Sequence, residues 1–181
     1  MSTIKDAILN RRSIRHFADR PVAREALEQV LEAVRWAPSW ANTQCWEVVV
    51  VTDPAVKARR RGALPPKGNP AADAVEHAPV VMVMCAQSGS SGYYKGEVTT
   101  KFGDWMLFDL GLATQNLCLM AHALGLGTVV VGLFDHRKAA EALHLPDGYE
   151  LVALVPLGYP AKIGGAPKRR EISEFTHSDA W

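Results

Sequence analysis

The sequence predicts one layered domain of helices packed on buried strands, and three observations lead to it. Short apolar, β-branched runs bounded by Gly, Pro or Asp recur along the chain. Amphipathic or wholly apolar helical segments stand between them. The length, 181 residues with 48% hydrophobic and 22% charged, fits a single compact core. Two loops, RRGALPPKGNP and QSGSSGYYKGE, interrupt the alternation of helix and strand. An α+β layer architecture and a parallel doubly wound sheet are therefore both open at this level.

The elements follow in order. The chain starts with a short amphipathic segment holding Ile4, Ile8 and Leu9. In VAREALEQVLEAVRWAP, Leu27, Val30, Leu31 and Val34 fall at i, i+3, i+4 and i+7, which predicts a helix stopped before Pro38. WEVVVVT, PVVMVMCA, TVVVGLF and YELVALVPLG read as strands covered on both faces. DWMLFDLGLATQNLCLMAHALGLG is apolar on nearly every side and ends at Gly125, a residue suited to a left-handed C′ position, so it predicts a core or interface helix. The last stretch, PAKIGGAPKRREISEFTHSDAW, is rich in Gly, Pro and charge yet carries Phe175 and Trp181. It reads as an arm that needs a surface to lie on.

Composition narrows the function classes. A net charge of +1 gives no field for nucleic acid or an acidic membrane. No apolar segment is long enough for a bilayer and the start has no export-type apolar region, so the expectation is a cytoplasmic protein with neither nucleic-acid nor membrane partner. Cys45, Cys85 and Cys118 are widely spaced, which predicts reduced thiols and neither a disulfide framework nor a zinc site.

Chemistry is concentrated in three places. NRRSIRHF sets Arg11, Arg12, Ser13 and Arg15 within five residues, and guanidinium forks plus a hydroxyl at that spacing can converge on a phosphate. PKRRE supplies a second basic cluster at Lys168 to Arg170, whereas Arg59, Arg60 and Arg61 read as an exposed helix face. A solvated basic patch is the alternative for each cluster. The third place is WAPSWANTQCW, where Trp36, Trp40 and Trp46 interleave with Ser39, Asn42 and Gln44. Trp36 can pack a helix end and Trp46 can open a strand, but amides and hydroxyls between two buried elements need partners, and a planar ligand with polar edges would supply them. GLGTVVVG has the wrong third glycine for a dinucleotide fingerprint, GSSG lacks a nucleophile elbow, and the six histidines form no metal-binding pair. Asp104 and Asp109, five apart, are expected on different helix faces and not as paired carboxylates.

Taken together and in order, RRSIRHF, APSWANTQCWEVVVV, LATQNLCLMAHALGLGTVVVGLFD, ELVALVPLGYP and PKRRE resemble the FMN-dependent nitroreductase family over nearly the whole chain. The resemblance implies a single 1–181 domain, an α+β sandwich on a central, mostly antiparallel sheet flanked by helices, with the C-terminal arm extending onto the partner of a homodimer. It implies FMN at the subunit interface. Arg11, Arg12 and Ser13 would hold its phosphate and ribityl chain, Lys168 and Arg170 would approach the same phosphate from the arm, and Arg15 would reach the pyrimidine edge. Pro38, Ser39, Trp40 and Asn42 of the second subunit would close over the flavin. Val130, Val131, Gly132 and Leu133 would line one face of the ring, with a backbone N–H at Gly132 or Leu133 directed at N5, and Asn69 is a candidate for a pyrimidine contact. Trp40 and Cys45 depart from the family pattern, which commonly has a small polar residue and a proline there. The loop from Gln87 to Gly103 is short for the family and is where substrate choice is expected to reside.

The activity so implied is hydride transfer from NADH or NADPH through flavin N5 to a small acceptor such as a nitroaromatic or quinone, in two half-reactions with no catalytic side chain and no metal. Reductive dehalogenation, flavin breakdown on the same scaffold, flavin binding without turnover, and a flavin-free interaction domain are the alternatives.

Overall fold

The computed structural model describes residues 3–64, 69 and 71–181, with the backbone alone described at 58–61. The expectation for Arg59, Arg60 and Arg61 falls outside the described side chains. The described residues form six α-helices: α1 (Ile4–Asn10), α2 (Arg24–Arg35), α3 (Pro54–Arg61), α4 (Ala72–His77), α5 (Met106–Ala123) and α6 (His136–Glu141). The strands are β1 (Trp46–Val51), β2 (Val80–Gln87), β3 (Tyr93–Tyr94), β4 (Glu97–Val98), β5 (Gly127–Thr128) and β6 (Tyr149–Gly158).

The main sheet has the order β1-β2-β6-β5, and every neighbouring pair is antiparallel. The parallel doubly wound alternative is thereby excluded and the fold is α+β. Central strand β2 is apolar and buried from Val80 to Ala86 because helices cover both of its faces. On one face Met82, Met84 and Val155 meet Val30 and Val34 of α2 and Leu110, Leu117 and Ala121 of α5. On the other, Val81, Val83 and Leu154 meet Ala74 and Val75 of α4 and Ala139 of α6. This is the three-layer sandwich that the resemblance implied. No helix of the described residues is long and apolar enough to cross a membrane.

One expectation is corrected. TVVVGLF contributes only the last residue of two-residue β5 to the ladder, plus one bridge from Val131 to Leu154. The run then leaves the sheet, with Val130 and Leu133 more than half exposed. The Gln87–Gly103 loop holds its own small hairpin, β3 paired with β4. Gly125 does take the left-handed conformation, φ 76°, just past the C-cap of α5.

One glycine decides where the N-terminal segment lies. A Cβ at Gly127 would sit 2.5 Å from Cγ1 and 2.8 Å from Cβ of Ile14, whose side chain is itself buried. Gly127→Ala is therefore expected to destabilise the fold by about 1–3 kcal/mol through overpacking. A urea midpoint lowered at unchanged m-value checks this, and an unchanged midpoint would mean that Ile14 can withdraw.

Candidate active site

Helix α1 opens with a reciprocal cap between Thr3 and Asp6 and stops at Arg11, whose backbone turns extended at φ −58°, ψ 131°. The chain then runs beside β5: the Ile14 N–H donates to the Thr128 carbonyl at 2.9 Å, and Ser13 bridges Thr128 in parallel. This lays the basic residues along the sheet edge, Arg11 and Arg12 half-buried, Ser13 and Arg15 exposed. Arg12 is oriented by its own Nη1, which donates to the carbonyls of Leu9 (2.7 Å) and Arg11 (2.9 Å). Among the described residues no carboxylate pairs with Arg11, Arg12 or Arg15. A recess of about 40 Å³ is lined by Asn10, Arg11, Arg12, His122, Thr128 and Ile163. The buried Cys118 thiol has its pKa raised by burial, against the opposing pull of the Thr128 hydroxyl and the Arg11 charge.

Two residues beyond Thr128 the segment 130–133 comes to the surface. Val131 turns its side chain into the core and exchanges two backbone hydrogen bonds with Leu154, at 2.9 and 3.0 Å, so it fixes the segment and does not offer a side chain to a ligand. Val130 and Leu133 face outward, and a Cβ added to Gly132 would meet nothing within 4 Å. Two side chains pin this segment from behind. Asn69 donates through Nδ2 to the Leu133 carbonyl at 2.6 Å while its Oδ1 accepts from the Ala71 N–H, so both polar ends of this candidate are engaged by the protein. His136 stacks on Phe134 and sets its ring nitrogens 2.8 Å from the Leu151 carbonyl and 3.2 Å from that of Gly132. His136 was not singled out from sequence, where a lone histidine at a helix start carries no signal.

The tryptophan-rich connection is a tight surface loop. Trp40–Asn42 forms one 3₁₀ turn, and Ala41, Asn42 and Gln44 take left-handed φ values of 46°, 55° and 50°. A non-glycine residue in that region costs about 1–2 kcal/mol, least for Asn, so the loop holds its shape only because other bonds enforce it. Ser39 supplies one, its Oγ accepting from the Gln44 N–H at 2.9 Å. Asn42 and Gln44 are exposed and reach each other at 3.4 Å, so part of the demand for partners that the sequence suggested is met within the loop. Trp46 does open β1, but Trp36 is 72% exposed and donates to Glu32 at 2.6 Å, and so is not core packing in this chain.

The strongest anchor of the loop is Asp109, 1% exposed in α5. Both carboxylate oxygens accept the Trp40 N–H at 3.1 Å, Oδ2 accepts the Ser91 hydroxyl at 2.6 Å, and the Cys45 thiol lies 3.9 Å away. Burial, reinforced by the Asp109 charge, pushes the Cys45 pKa up to about 11, so this thiol stays protonated. Asp104 is not on the helix at all; it sits before α5 and accepts from the Gly89 and Met106 N–H groups. The available signal for Asp109 was a lone charge inside an apolar helix.

Lys168 and Arg170 lie on the arm, which is exposed at every position from Ala161 to Trp181. The arm passes the recess at Pro160 and Ile163, and Arg170 stands 5.8 Å from the Phe175 ring. The structure thus brings Arg11, Arg12, Ser13 and the 130–133 segment to one sheet edge, and holds Trp40 through α5. It does not bring Lys168 or Arg170 into the recess.

Comparison with known proteins bears on the family. The chain is similar to an NADH dehydrogenase of Thermus thermophilus, 34% identical with 88% of each chain covered, and to an FMN reductase [NAD(P)H] of Bacillus subtilis, 28% identical over all of this chain and 75% of that one. Among solved structures, a nitroreductase family protein from Clostridium novyi superposes with a TM-score of 0.78 at 30% identity, covering 88% of this chain and 86% of that one. The model of the nitroreductase family matches residues 8–159. With the antiparallel sandwich and the basic turn stitched to β5, this places the chain in the nitroreductase family.

Proposed function

We propose that the protein is an FMN-dependent oxidoreductase that takes hydride from NADH or NADPH and delivers it to a small acceptor such as a nitroaromatic or quinone, both using one planar slot in turn. The observation that carries this is the parallel bridge of Ser13 to Thr128, closed by the Ile14 N–H on the Thr128 carbonyl, which sets guanidinium groups with no carboxylate partner among the described residues and the open 130–133 segment along one edge.

The donor set fits FMN. Forks from Arg11 and Arg12 and the Ser13 hydroxyl match a phosphate monoester, each charge-assisted bond contributing about 1.5–3 kcal/mol. The open space in front of Gly132 allows a flat ring to approach the backbone. When bound, FMN supplies hydride acceptance and donation at N5. The chain's own part is to hold the phosphate, to present the backbone N–H of Gly132 or Leu133 to the ring, and to place the Arg15 charge at the pyrimidine edge, where a cation favours added negative charge. No side chain need move a proton.

The slot is completed by a second copy of the chain, whose Pro38, Ser39, Trp40 and Asn42 close over the ring. An apolar cleft of about 440 Å³ between α1, α2 and α5, lined by Ala7, Ala33, Trp36, Leu119 and Met120 and flanked by exposed Ile4 and Ile8, supports such a dimer. So does the arm, which exposes Ile163, Ile172, Phe175 and Trp181 and would carry Lys168 and Arg170 toward the phosphate.

The test is the visible spectrum of the purified protein, before and after heat release of ligand, with NADH and NADPH added without oxygen. Flavin bands that bleach with either nicotinamide are expected. A colourless protein that fails to take up added FMN would withdraw the proposal, and bound FMN that neither nicotinamide bleaches would reduce it to flavin holding.

A further inference from the structure

Asp109 sits where three segments meet. It belongs to α5, it receives the Trp40 N–H from the 38–45 loop, and it receives the hydroxyl of Ser91, which is fully buried in the loop between β2 and α5. Ser91 is the seam of that second loop: its carbonyl accepts the Trp105 N–H at 2.9 Å, and the next carbonyl, Gly92, accepts both the Thr99 N–H and the Thr99 hydroxyl. Gly92 has no room for a side chain, since a Cβ there would stand 2.6 Å from the Gly103 carbonyl oxygen. The Ser91 hydroxyl therefore reports the geometry of the whole 88–103 loop to one carboxylate.

That carboxylate has no cation among the described residues within ion-pair distance. A buried carboxylate without a counter-charge depends on its donors for its orientation and its ionised state, so losing one frees it to rotate or to take up a proton and thereby loosens the Trp40 contact. The protonated Cys45 thiol is the weakest of them, leaving the Trp40 N–H and the Ser91 hydroxyl as the pair that satisfies it. The 38–45 loop, with three non-glycine residues at left-handed φ, needs such an external restraint to keep its shape.

We infer that Asp109 is a positioning residue that ties the Trp40 loop to the Ser91 loop, so that the loop closing over the slot and the loop that bears on acceptor choice are ordered as one unit. The coupling itself stands on the hydrogen bonds; the bearing of the 88–103 loop on acceptor choice is what the family resemblance implies and rests on the oxidoreductase reading above.

Amide hydrogen exchange on the full-length protein tests the coupling. Ser91→Ala removes one donor from a residue outside the 38–45 loop, yet the amides of residues 39–45, Trp40 included, should exchange about threefold faster or more together with those of 88–103, while β2 and the middle of α5 keep their protection. Asp109→Asn, which replaces one acceptor oxygen by a donor, should accelerate both loops about tenfold or more. Acceleration by Ser91→Ala confined to 88–103 would overturn the coupling, and Ser91→Ala keeps the test available should Asp109→Asn not fold. In protein carrying FMN, Ser91→Ala should raise the acceptor KM about threefold or more at unchanged flavin content; an unchanged KM would overturn the link to acceptor choice. Because exchange is read with or without flavin, coupled loops in a protein that refuses FMN would sink the oxidoreductase reading alone, and uncoupled loops in a yellow protein would sink this inference alone.

Discussion

Leu154→Ala should lower folding stability by about 2–5 kcal/mol, the range for a large buried aliphatic side chain cut to alanine in a core that cannot collapse. Leu154 has no exposed surface and packs among Val81, Val83, Val129, Val131 and Phe134. At about 2–4 °C per kcal/mol for a domain of this size, the midpoint of thermal unfolding should fall by about 4–20 °C. The loss should also reach the site. The Leu154 backbone exchanges two hydrogen bonds with Val131, and a void beside Val131 frees the segment that presents Gly132. FMN should accordingly bind more weakly well below the lowered melting point. A melting point within about 2 °C of the parent would mean that the neighbours close the void.

Arg11→Ala is expected to weaken FMN binding by about 1.5–3 kcal/mol, or about 10- to 100-fold in Kd, through loss of one charge-assisted contact to the phosphate. Arg11 is half-buried and has no carboxylate partner among the described residues, so no internal ion pair is broken by the change. Fluorescence titration of the flavin-free protein measures it. Arg24→Ala, which removes an exposed ion pair with Glu28 on α2, should leave Kd where it was. An unchanged Kd for Arg11→Ala would take Arg11 out of the phosphate site.

The sequence was most legible where period and burial coincide. The i, i+3, i+4, i+7 spacing of Leu27, Val30, Leu31 and Val34 gave α2 its buried face, and the apolar runs of β2 and β6 reported that helices cover the sheet on both sides. They did not report strand direction, because a doubly covered strand carries the same run whether its neighbours are parallel or antiparallel. TVVVGLF misled for a related reason: β-branched residues suit any extended backbone, and only Val131 stays bonded to β6 while Val130 and Leu133 leave the ladder. The basic turn was visible in composition, but its attachment to β5 depends on Gly127 making room for Ile14, more than a hundred residues away. Asp109 was the hardest to see. Its partners Trp40 and Ser91 lie 69 and 18 residues away, and no local pattern encodes that meeting.

The two faces of the sheet differ in one respect that bears on how this lineage can change. Met82, Met84, Met106 and Met120 all lie in the layer shared with α2 and α5, beside Val30, Val34, Val80 and Val155, whereas the opposite layer holds no methionine among the described residues and is built around Val51, Val75, Val81, Val83, Val129 and Val131. Methionine has three rotatable bonds and adapts to altered neighbours, while valine has one stiff torsion and does not. Substitutions drifting into α2 or α5 over generations can be absorbed in place, and those on the valine side are transmitted to Val131 and the segment it holds. The chain can thus diverge on its adaptable side, which carries the apolar cleft between α1, α2 and α5, while its stiff side keeps the backbone around Gly132 constant. A library of variants biased to the methionine layer would keep more folded members than one of equal size aimed at the valines.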